Sequence, residues 1–579
     1  MKKNNQSRVS KFTQFFYRRS TIAIFLGLVC LIGLPLRTQN IKLDGYISDD
    51  AWWHYRQVNQ VIESGHRLNP DIYEFTTLSR PMTYPPLFHY MVASAYKIFR
   101  RFLPLTIFTH YFNLLEAVFY ILLIYWLSYL ISQDKLFSII GALAGSLSYG
   151  IIIRARAGEL MPFVPGDLFS LAAISLLFML LTDITGKKGF YLCVISGTLF
   201  ALAMLSWSGT ALIYLPLILF MSLSIIIYSP GLVKNAFKFF LTCSIPVLIM
   251  SLPWYYPIFA KYGLNPHHPE MDWFMKNFTV LHQRKALPFY IFTSGIAIFS
   301  IPIAFLVCIF KRNPKNLLFL FWIILGAVAT YTGWRGYVAV VPIISAIAMS
   351  IAVSAIVRFL FGKDSKYLPV VFIVIFLIVG VIGYNISSQR LSPLDPDSIS
   401  EVRTNARSIK MLKYLKDNYP QAVTIDHITW VSEDAGAGSL RMVGGQYLEY
   451  LPSGSAEVLK DISRFYLSDE DKAFEICKKY DVELVILRKQ LLRIPQLSIL
   501  FAPPELDSED YLSPSKESRQ SKELTINFTE EGVKSMLFQM LNRQDLKHFE
   551  LVYADEVEDD SIPFLVVYKV RNDSFSDSE

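Results

Sequence analysis

Long apolar runs follow one another through the first two thirds of this chain. A run of about 20 apolar residues is long enough to cross a bilayer as a helix. Hydrophobic residues make up 53% of the 579 residues, and the mean hydropathy is +0.36. These features indicate a membrane protein with many spans. We predict spans near residues 20–37, 108–131, 136–153, 164–182, 189–207, 209–228, 236–252, 289–310, 316–332, 337–359 and 368–385.

The basic residues between these runs predict an orientation. With the N-terminus inside, the inner loops contain Lys135, Lys187, Lys188, Lys234, Lys311, Arg312, Lys315, Lys363 and Lys366. Cytoplasmic loops of membrane proteins are basic in this way. An odd number of spans then places the tail, from about residue 390, outside. The net charge of +7 needs no nucleic-acid partner, because these loops account for it.

The predicted fold is a multi-span α-helical membrane bundle with a C-terminal extracytoplasmic domain of mixed α/β structure. Residues 1–389 form the membrane domain, with about 11–13 spans and long outer loops at 38–107 and 253–288. Residues 390–579 form the outer domain. In it we predict helices and strands from the apolar periodicity. The predicted helices lie at 401–418 and 470–480. The predicted strands lie at 423–425, 482–487, 550–553 and 564–568.

Two carboxylates, Asp49 and Asp50, follow the first predicted span. Acidic residues at a membrane boundary often hold a metal or a substrate cation. Carboxylate oxygens suit Mg²⁺ or Mn²⁺, which can neutralise a phosphate leaving group. A solvated acidic pair near the interface is the alternative interpretation.

The second outer segment, residues 154–167, contributes Glu159 and Asp167. Either carboxylate could serve as a further metal ligand. Asp167 also begins an apolar helix, where it could act as an N-terminal cap or dipole partner. Arg154 and Arg156 could bind a substrate phosphate or pair with lipid headgroups.

Arg335 lies in a turn between two long apolar runs, on the predicted outer face. Arginine is unusual there, and its guanidinium suits a phosphate or pyrophosphate. The alternative is an arginine that reaches the interface beside aromatic residues. The outer loop at 253–288 carries Glu270 and His282, whose spacing matches no compact metal site. In the tail, residues 429–436 predict a polar loop at a strand end, which turn chemistry alone would explain.

In order along the chain, these motifs resemble the catalytic subunit of oligosaccharyltransferase, a glycosyltransferase of the GT-C class. The run Asp50-Ala51-Trp52-Trp53-His54-Tyr55-Arg56 is similar to the family's Asp-Pro-Tyr-Phe-Asn-Tyr-Arg. Thr83-Tyr84-Pro85-Pro86-Leu87 resembles its Thr-Val-Tyr-Pro-Gly stretch, and Arg156-Ala157-Gly158 resembles the lead into its second acidic motif. Trp334-Arg335-Gly336-Tyr337 resembles the region of the arginine that binds the donor pyrophosphate.

The resemblance implies roles for named residues. Asp50 is a catalytic metal ligand, helped by Glu159 or Asp167, and Arg335 and Tyr84 bind substrate. His282 or Glu270 positions the acceptor, in place of the glutamate of the family's Thr/Ser-x-x-Glu motif. Trp430 and Asp434 match only part of its Trp-Trp-Asp-Tyr-Gly motif, which reads the hydroxyl of the acceptor sequon. The implied cofactor is a divalent metal, Mn²⁺ or Mg²⁺.

The predicted function is transfer of a sugar or oligosaccharide from a polyprenyl phosphate or pyrophosphate to a polypeptide, at the outer face of a bilayer. Asparagine is the acceptor by resemblance. The altered acceptor motifs leave open a GT-C transferase with another acceptor: a protein hydroxyl, a lipid or a surface polymer. A membrane scaffold or a transporter of lipid-linked sugar is the alternative from another class. The collection of carboxylates at one face, with few charges in the spans, favours chemistry over translocation.

Overall fold

The computed structural model describes residues 11–43, 45–78, 80–181, 187–263, 273, 287–332, 337–362, 365–391, 406–445, 450–492, 494–514, 526–555 and 563–571. The chain forms two compact units. The membrane unit comprises residues 1–43, 85–257 and 282–393. The tail unit comprises residues 44–84, 258–281 and 394–579. The predicted division at residue 389 follows the sequence alone and stays a prediction.

The membrane unit is helical. Its α-helices are Lys11–Phe16, Arg19–Gly33, Leu87–Phe99, Leu105–Ser132, Lys135–Ser146, Tyr149–Ile152, Phe163–Leu180, Lys187–Ser206, Ser208–Tyr214, Pro216–Tyr228, Val233–Tyr262 (which ends in the tail unit), Leu287–Ser294, Ile301–Phe310, Pro314–Tyr331, Tyr337–Phe361 and Leu368–Arg390. Short 3-10 turns lie at Pro35–Arg37, Pro230–Leu232 and Gly295–Ser300.

Ten helical segments of the described chain are long and apolar enough to cross a membrane. They are Arg19–Arg37, Leu105–Ser132, Phe163–Leu180, Lys187–Ser206, Ala211–Tyr228, Pro230–Tyr262, Pro288–Phe310, Pro314–Tyr331, Val340–Phe361 and Leu368–Arg390. The remaining predicted span, 136–153, contains the apolar helix Lys135–Ser146, which is shorter. Residues 85–101 contain the 13-residue helix Leu87–Phe99, too short to cross a bilayer unaided.

Large apolar side chains cover the outer surface of these helices. Ile249 is 67% exposed and Phe310 is 80% exposed. Water would penalise so much apolar surface, whereas lipid chains accept it. Inside the bundle the helices approach closely: a Cβ at Gly197 would collide with the carbonyl oxygen of Cys243. Glycine is therefore required where these two helices cross.

The tail unit is built on a five-stranded mixed sheet in the order β2-β1-β3-β7-β6. β1 and β3 are parallel, as are β1 and β2, whereas β7 is antiparallel to both β3 and β6. A separate antiparallel pair joins β4 and β5. The strands are β1 Val423–Ile425, β2 Arg441–Met442, β3 Leu484–Arg488, β4 Leu512–Pro514, β5 Ile526–Phe528, β6 Phe549–Ala554 and β7 Leu565–Val570.

An apolar core lies on each face of this sheet. The helices of the tail unit are Asp49–Ser64, Ala406–Asn418, Val431–Ala437, Ser455–Leu467, Glu470–Lys479, Ile494–Leu500, Ser508–Tyr511, Glu530–Lys534 and Met536–Leu541, with a 3-10 turn at Lys489–Leu492. All five residues of β3 are buried. Val485 and Leu487 belong to one apolar core, and Leu484 and Ile486 belong to the other. This alternation along a strand buried on both faces explains the apolar run seen in the sequence.

One tail prediction was wrong. Residues 429–436, predicted as a loop, contain the helix Val431–Ala437. Val431 and Ala435 are buried in the core beside Leu412 and Ile486. Tertiary packing therefore outweighs the turn preference of the Ser, Asp and Gly residues in this stretch.

Candidate functional site

The helix Asp49–Ser64 (the acidic helix) positions the first carboxylates. The side chain of Ser48 accepts a hydrogen bond from the backbone N–H of Ala51, which caps the helix. Asp49 and Asp50 occupy the first turn, where the positive end of the helix dipole favours negative charge. Both are half-buried. The sequence around Asp50 therefore folds to present carboxylates at a helix N-terminus.

The start of the acidic helix contacts the helix Val431–Ala437 (the tail helix). Asp49 Oδ1 accepts the backbone N–H of Glu433 at 2.5 Å. Asp49 Oδ2 is buried and has no hydrogen-bond partner among the described residues. Burial, with the nearby charges of Glu433, Asp50 and Glu74, raises the pKa of Asp49 well above its usual value. The site therefore contains a carboxyl group that holds its proton more tightly than a surface aspartate.

A buried ion-pair cluster anchors the segment that follows the acidic helix. Arg56 donates to Asp71 at 2.8 Å and to Glu74 at 3.1 Å, and Arg80 donates to the other oxygen of Glu74 at 2.9 Å. The Ser432 hydroxyl also donates to Glu74, at 3.1 Å. The two arginines compensate the charges of the two carboxylates in this cluster. We therefore interpret it as a structural element that holds the segment in place.

Segment 73–76 extends the pairing of the sheet edge. Met442 donates its N–H to the carbonyl of Tyr73, and Phe75 donates to the carbonyl of Gly444. The edge strand β2 is thus covered on its open side. Tyr84, a predicted substrate-binding residue, packs its ring against Trp53 and His54, with centroids 5.2 and 5.1 Å away.

Trp430 and Asp434 are brought together by a third residue, Arg488, at the end of β3. Arg488 donates to Asp434 and, at 3.0 Å, to Asp426. Its guanidinium carbon lies 5.2 Å from the ring centroid of Trp430. All four side chains are at most 2% exposed. Sequence reasoning missed Arg488, which carries no motif of its own.

Charge compensation holds this second cluster together. Burial alone would lower the pKa of Arg488, but the charges of Asp434, Asp426 and Glu433 outweigh it and raise that pKa above its usual value. Ser408 completes the set by accepting from the guanidinium at 3.0 Å. A buried arginine with this many acceptors makes strong, directional hydrogen bonds, and here they link the segments that carry the acceptors.

In the membrane unit, the two predicted carboxylates are each paired with an arginine. Asp167 accepts from Arg154 at 2.7 Å and from the Tyr120 hydroxyl at 2.5 Å. Glu159 pairs with Arg156 at 3.2 Å. Arg154 in turn lies over the ring of Phe163, 4.4 Å from its centroid.

These pairs bear on the predicted metal site. Within the described residues, no group of three or more His, Cys, Asp or Glu side chains forms a metal site. Glu159 and Asp167 do not fit such a site, because an arginine already neutralises each carboxylate. Asp49 Oδ2 and Glu116 Oε1 do offer the oxygen that a hard cation takes, since each is buried without a hydrogen-bond partner in the described chain.

Three predicted site residues, Glu270, His282 and Arg335, lie outside the described residues. Glu116 was missed by the sequence analysis, although one acidic residue in an apolar span is a costly and therefore informative signal.

Comparison with known proteins gives structural matches only. No protein-family model matches the chain, and no curated protein matches it in sequence. It is similar to the oligosaccharyltransferase AglB of Archaeoglobus fulgidus in complex with an inhibitory peptide and a dolichol-phosphate, with a TM-score of 0.71 and 14% identity over 94% of this chain and 80% of that one. The chain has the fold of the GT-C glycosyltransferases. The resemblance seen in the sequence is thus confirmed for the fold.

Two further matches extend this result. A structure of an Archaeoglobus fulgidus oligosaccharyltransferase in complex with Zn and sulfate has a TM-score of 0.69 and 15% identity, over 92% of this chain and 79% of that one. ArnT from Cupriavidus metallidurans, bound to undecaprenyl phosphate, has a TM-score of 0.52 and 12% identity, over 81% of this chain and 93% of that one. With its ten apolar helices, the GT-C fold makes this chain an integral, multi-pass membrane protein.

Proposed function

We propose that this protein is a membrane glycosyltransferase that moves a sugar or oligosaccharide from a polyprenyl phosphate or pyrophosphate to a polypeptide. The observation that carries the proposal is the fold, which it shares with an oligosaccharyltransferase and with a protein bound to undecaprenyl phosphate. The proposed chemistry takes place at the outer face, as the orientation predicted from the basic loops implies.

The reaction is a displacement at the anomeric carbon. A nucleophilic atom of the acceptor bonds to that carbon, the bond from the carbon to the phosphate oxygen breaks, and the electron pair leaves with the polyprenyl phosphate. The proton of the nucleophile passes to a carboxylate, for which Asp50 is the candidate. Arg335 binds the departing phosphate and stabilises its growing negative charge.

The proposed cofactor is Mn²⁺ or Mg²⁺. Asp50 and Asp49 are the residues of the tail unit that would hold it. When bound, a divalent cation supplies further positive charge for the leaving phosphate.

One observation favours an acceptor other than a sequon asparagine. The resemblance assigns reading of the sequon hydroxyl to the motif that includes Trp430 and Asp434. Here both side chains are buried, and Arg488 engages them. A transferase that uses a protein hydroxyl, a lipid or a surface polymer is therefore the second candidate.

The proposal is tested on the donor side first. The purified protein is incubated with a mixed polyprenyl-linked glycan pool and Mn²⁺, and release of sugar from lipid is followed. We expect release by the wild type and loss of at least about 100-fold in Asp50→Ala and Arg335→Ala, as for groups that stabilise transition-state charge.

Each matched control removes one charge, as the site variants do, but at a residue away from the proposed site. Glu63→Gln alters an exposed carboxylate at the far end of the acidic helix, where it pairs with Asn59. Arg312→Ala alters a loop arginine on the predicted inner face. Both should retain activity. Absence of release from every donor in the pool by a folded wild-type protein would contradict the proposal.

A further inference from the structure

Six consecutive exposed residues of the membrane unit lie just before the span Leu105–Ser132. They are residues 97–102, Lys-Ile-Phe-Arg-Arg-Phe, which we call the basic turn. The first three end the helix Leu87–Phe99, and the last three follow it. The span that begins at Leu105 has 28 residues, so it is about 42 Å long, which matches a bilayer with its headgroups. The basic turn therefore lies at the level of the headgroups.

Aromatic packing and backbone hydrogen bonds hold the basic turn against the start of this span. The ring of Phe99 stacks on that of Phe108, with centroids 5.5 Å apart, and the ring of Tyr96 lies 5.4 Å from the same ring. Phe102 and Leu103 both donate their backbone N–H to the carbonyl of Phe99, at 2.8 and 3.2 Å. The three basic side chains are thus presented from one ordered position.

The charges of the basic turn are not compensated within the part of the chain that the structure describes. None of its three basic side chains forms a salt bridge there, whereas Arg154 and Arg156 of the same unit each pair with a carboxylate. The sequence between Glu74 and Glu116 contains no acidic residue. The counter-charge for three cations therefore has to come from outside the described chain.

Apolar side chains alternate with these cations. Ile98 is 72% exposed and Phe102 is 77% exposed. Basic residues beside exposed apolar ones are typical of a surface that lies in a membrane interface, where acyl chains accept the apolar groups and headgroups accept the charges. On the orientation predicted from the loops this end of the span is outside, where basic residues are uncommon and need a reason.

The helix dipole offers an alternative reason for the positive charges. Arg100 is the C-cap residue of the helix Leu87–Phe99, and cations stabilise the negative end of a helix. The dipole does not account for the exposure of Ile98 and Phe102, whereas a lipid accounts for both the charged and the apolar side chains. A dipole effect would alter stability without altering lipid binding, so the two explanations can be separated by experiment.

We propose that the basic turn binds the headgroup phosphate of an anionic phospholipid in the leaflet at that end of the span. Lys97, Arg100 and Arg101 contact the phosphate, and Ile98 and Phe102 lie among the acyl chains. This interaction is separate from the transfer reaction and does not depend on it.

Lipid binding by the full-length protein in detergent tests the proposal. Phosphatidylglycerol or phosphatidylcholine is titrated in mixed micelles, and native mass spectrometry measures the bound lipid. We expect the wild type to prefer phosphatidylglycerol. The triple variant Lys97→Gln, Arg100→Gln, Arg101→Gln should raise the apparent Kd for phosphatidylglycerol at least about 10-fold, since each basic residue near an anionic membrane surface strengthens the attraction about fivefold.

Two controls separate this binding from a general effect of charge. Arg100→Lys with Arg101→Lys keeps both charges and should bind phosphatidylglycerol within about 3-fold of the wild type, because the attraction depends on charge. Lys410→Gln with Lys416→Gln and Lys547→Gln removes three exposed lysines of the tail unit, none of which adjoins a span in sequence. It should also bind like the wild type.

A second measurement uses the wild type alone, so that the test survives a variant that fails to fold. A photoactivatable phosphatidylglycerol is crosslinked to the protein, and the labelled residues are mapped by mass spectrometry. We expect labels at residues 97–102 that excess phosphatidylglycerol removes and phosphatidylcholine does not. Equal Kd values for the folded triple variant and the wild type, or no label in the basic turn, would overturn the inference. Removal of the label by undecaprenyl phosphate but not by phosphatidylglycerol would also overturn it, because the site would then belong to a polyprenyl lipid.

Discussion

The guanidinium of Arg488 lies over the indole ring of Trp430, 5.2 Å from its centroid, and joins the tail helix to the central strand of the sheet. The same guanidinium pairs with Asp434 and Asp426. One side chain thus contacts both residues to which the family resemblance assigns acceptor recognition. The positions of Trp430 and Asp434 therefore depend on contacts inside the tail unit.

Replacing Arg488 by Met should destabilise the protein severely. The change leaves Asp426 and Asp434 buried without their counter-ion, which costs about 3–5 kcal/mol. Chemical unfolding of the purified full-length protein measures the loss. Arg464→Met is the matched control: Arg464 also binds three carboxylates, but it is 35% exposed, so its loss should cost about 1 kcal/mol or less. Equal losses in the two variants would refute the central place of Arg488.

Gly436→Ala should separate the acidic helix from the tail helix. A Cβ at Gly436 would lie 2.8 Å from the carbonyl oxygen of Trp52, and that backbone atom cannot rotate away. Overpacking of this kind costs about 1–3 kcal/mol. Thermal unfolding should show a lower Tm and hydrogen exchange should rise in the acidic helix. Gly231→Ala meets no atom within 4 Å and should leave both unchanged.

The stability of the protein should depend on pH through Asp49. Burial and the neighbouring carboxylates raise its pKa in the folded state above the ordinary 3.8, so the folded protein binds the proton more tightly than the unfolded chain. Its stabilising effect is complete below pH 3.8 and is lost as the pH rises through the folded pKa. Asp49→Asn should therefore raise stability at pH 8 and change it little at pH 4. Denaturant unfolding at the two pH values provides the comparison, and the same effect at both would exclude Asp49 as the cause.

The sequence predicted the elements whose signal is local. The apolar runs predicted the spans, and the β-branched runs predicted β3 and β7, because both patterns follow from burial of contiguous residues. Asp49 and Asp50 follow the first apolar run in the sequence, and in the structure they begin a helix capped by Ser48.

What the sequence could not predict depends on partners far along the chain. Arg154 and Asp167 are 13 residues apart and pair only because a turn and a helix bring them together. Arg488 meets Asp434 across 54 residues of sequence. The tail helix was mistaken for a loop because its Gly and Asp favour turns locally, whereas its apolar residues are held by the core. Such tertiary effects have no local signature.

Transfer of sugar to a polypeptide tests the central claim most directly. The purified protein, a polyprenyl-linked donor found active in sugar release and a mixed set of polypeptides are incubated with Mn²⁺, and products are analysed by mass spectrometry. We expect the wild type to add the glycan mass to a polypeptide, Glu63→Gln to do the same, and Asp50→Asn to add none. Equal transfer by wild type and Asp50→Asn, or a donor that is bound and never cleaved, would contradict the assignment of a glycosyl-transfer site to the acidic helix.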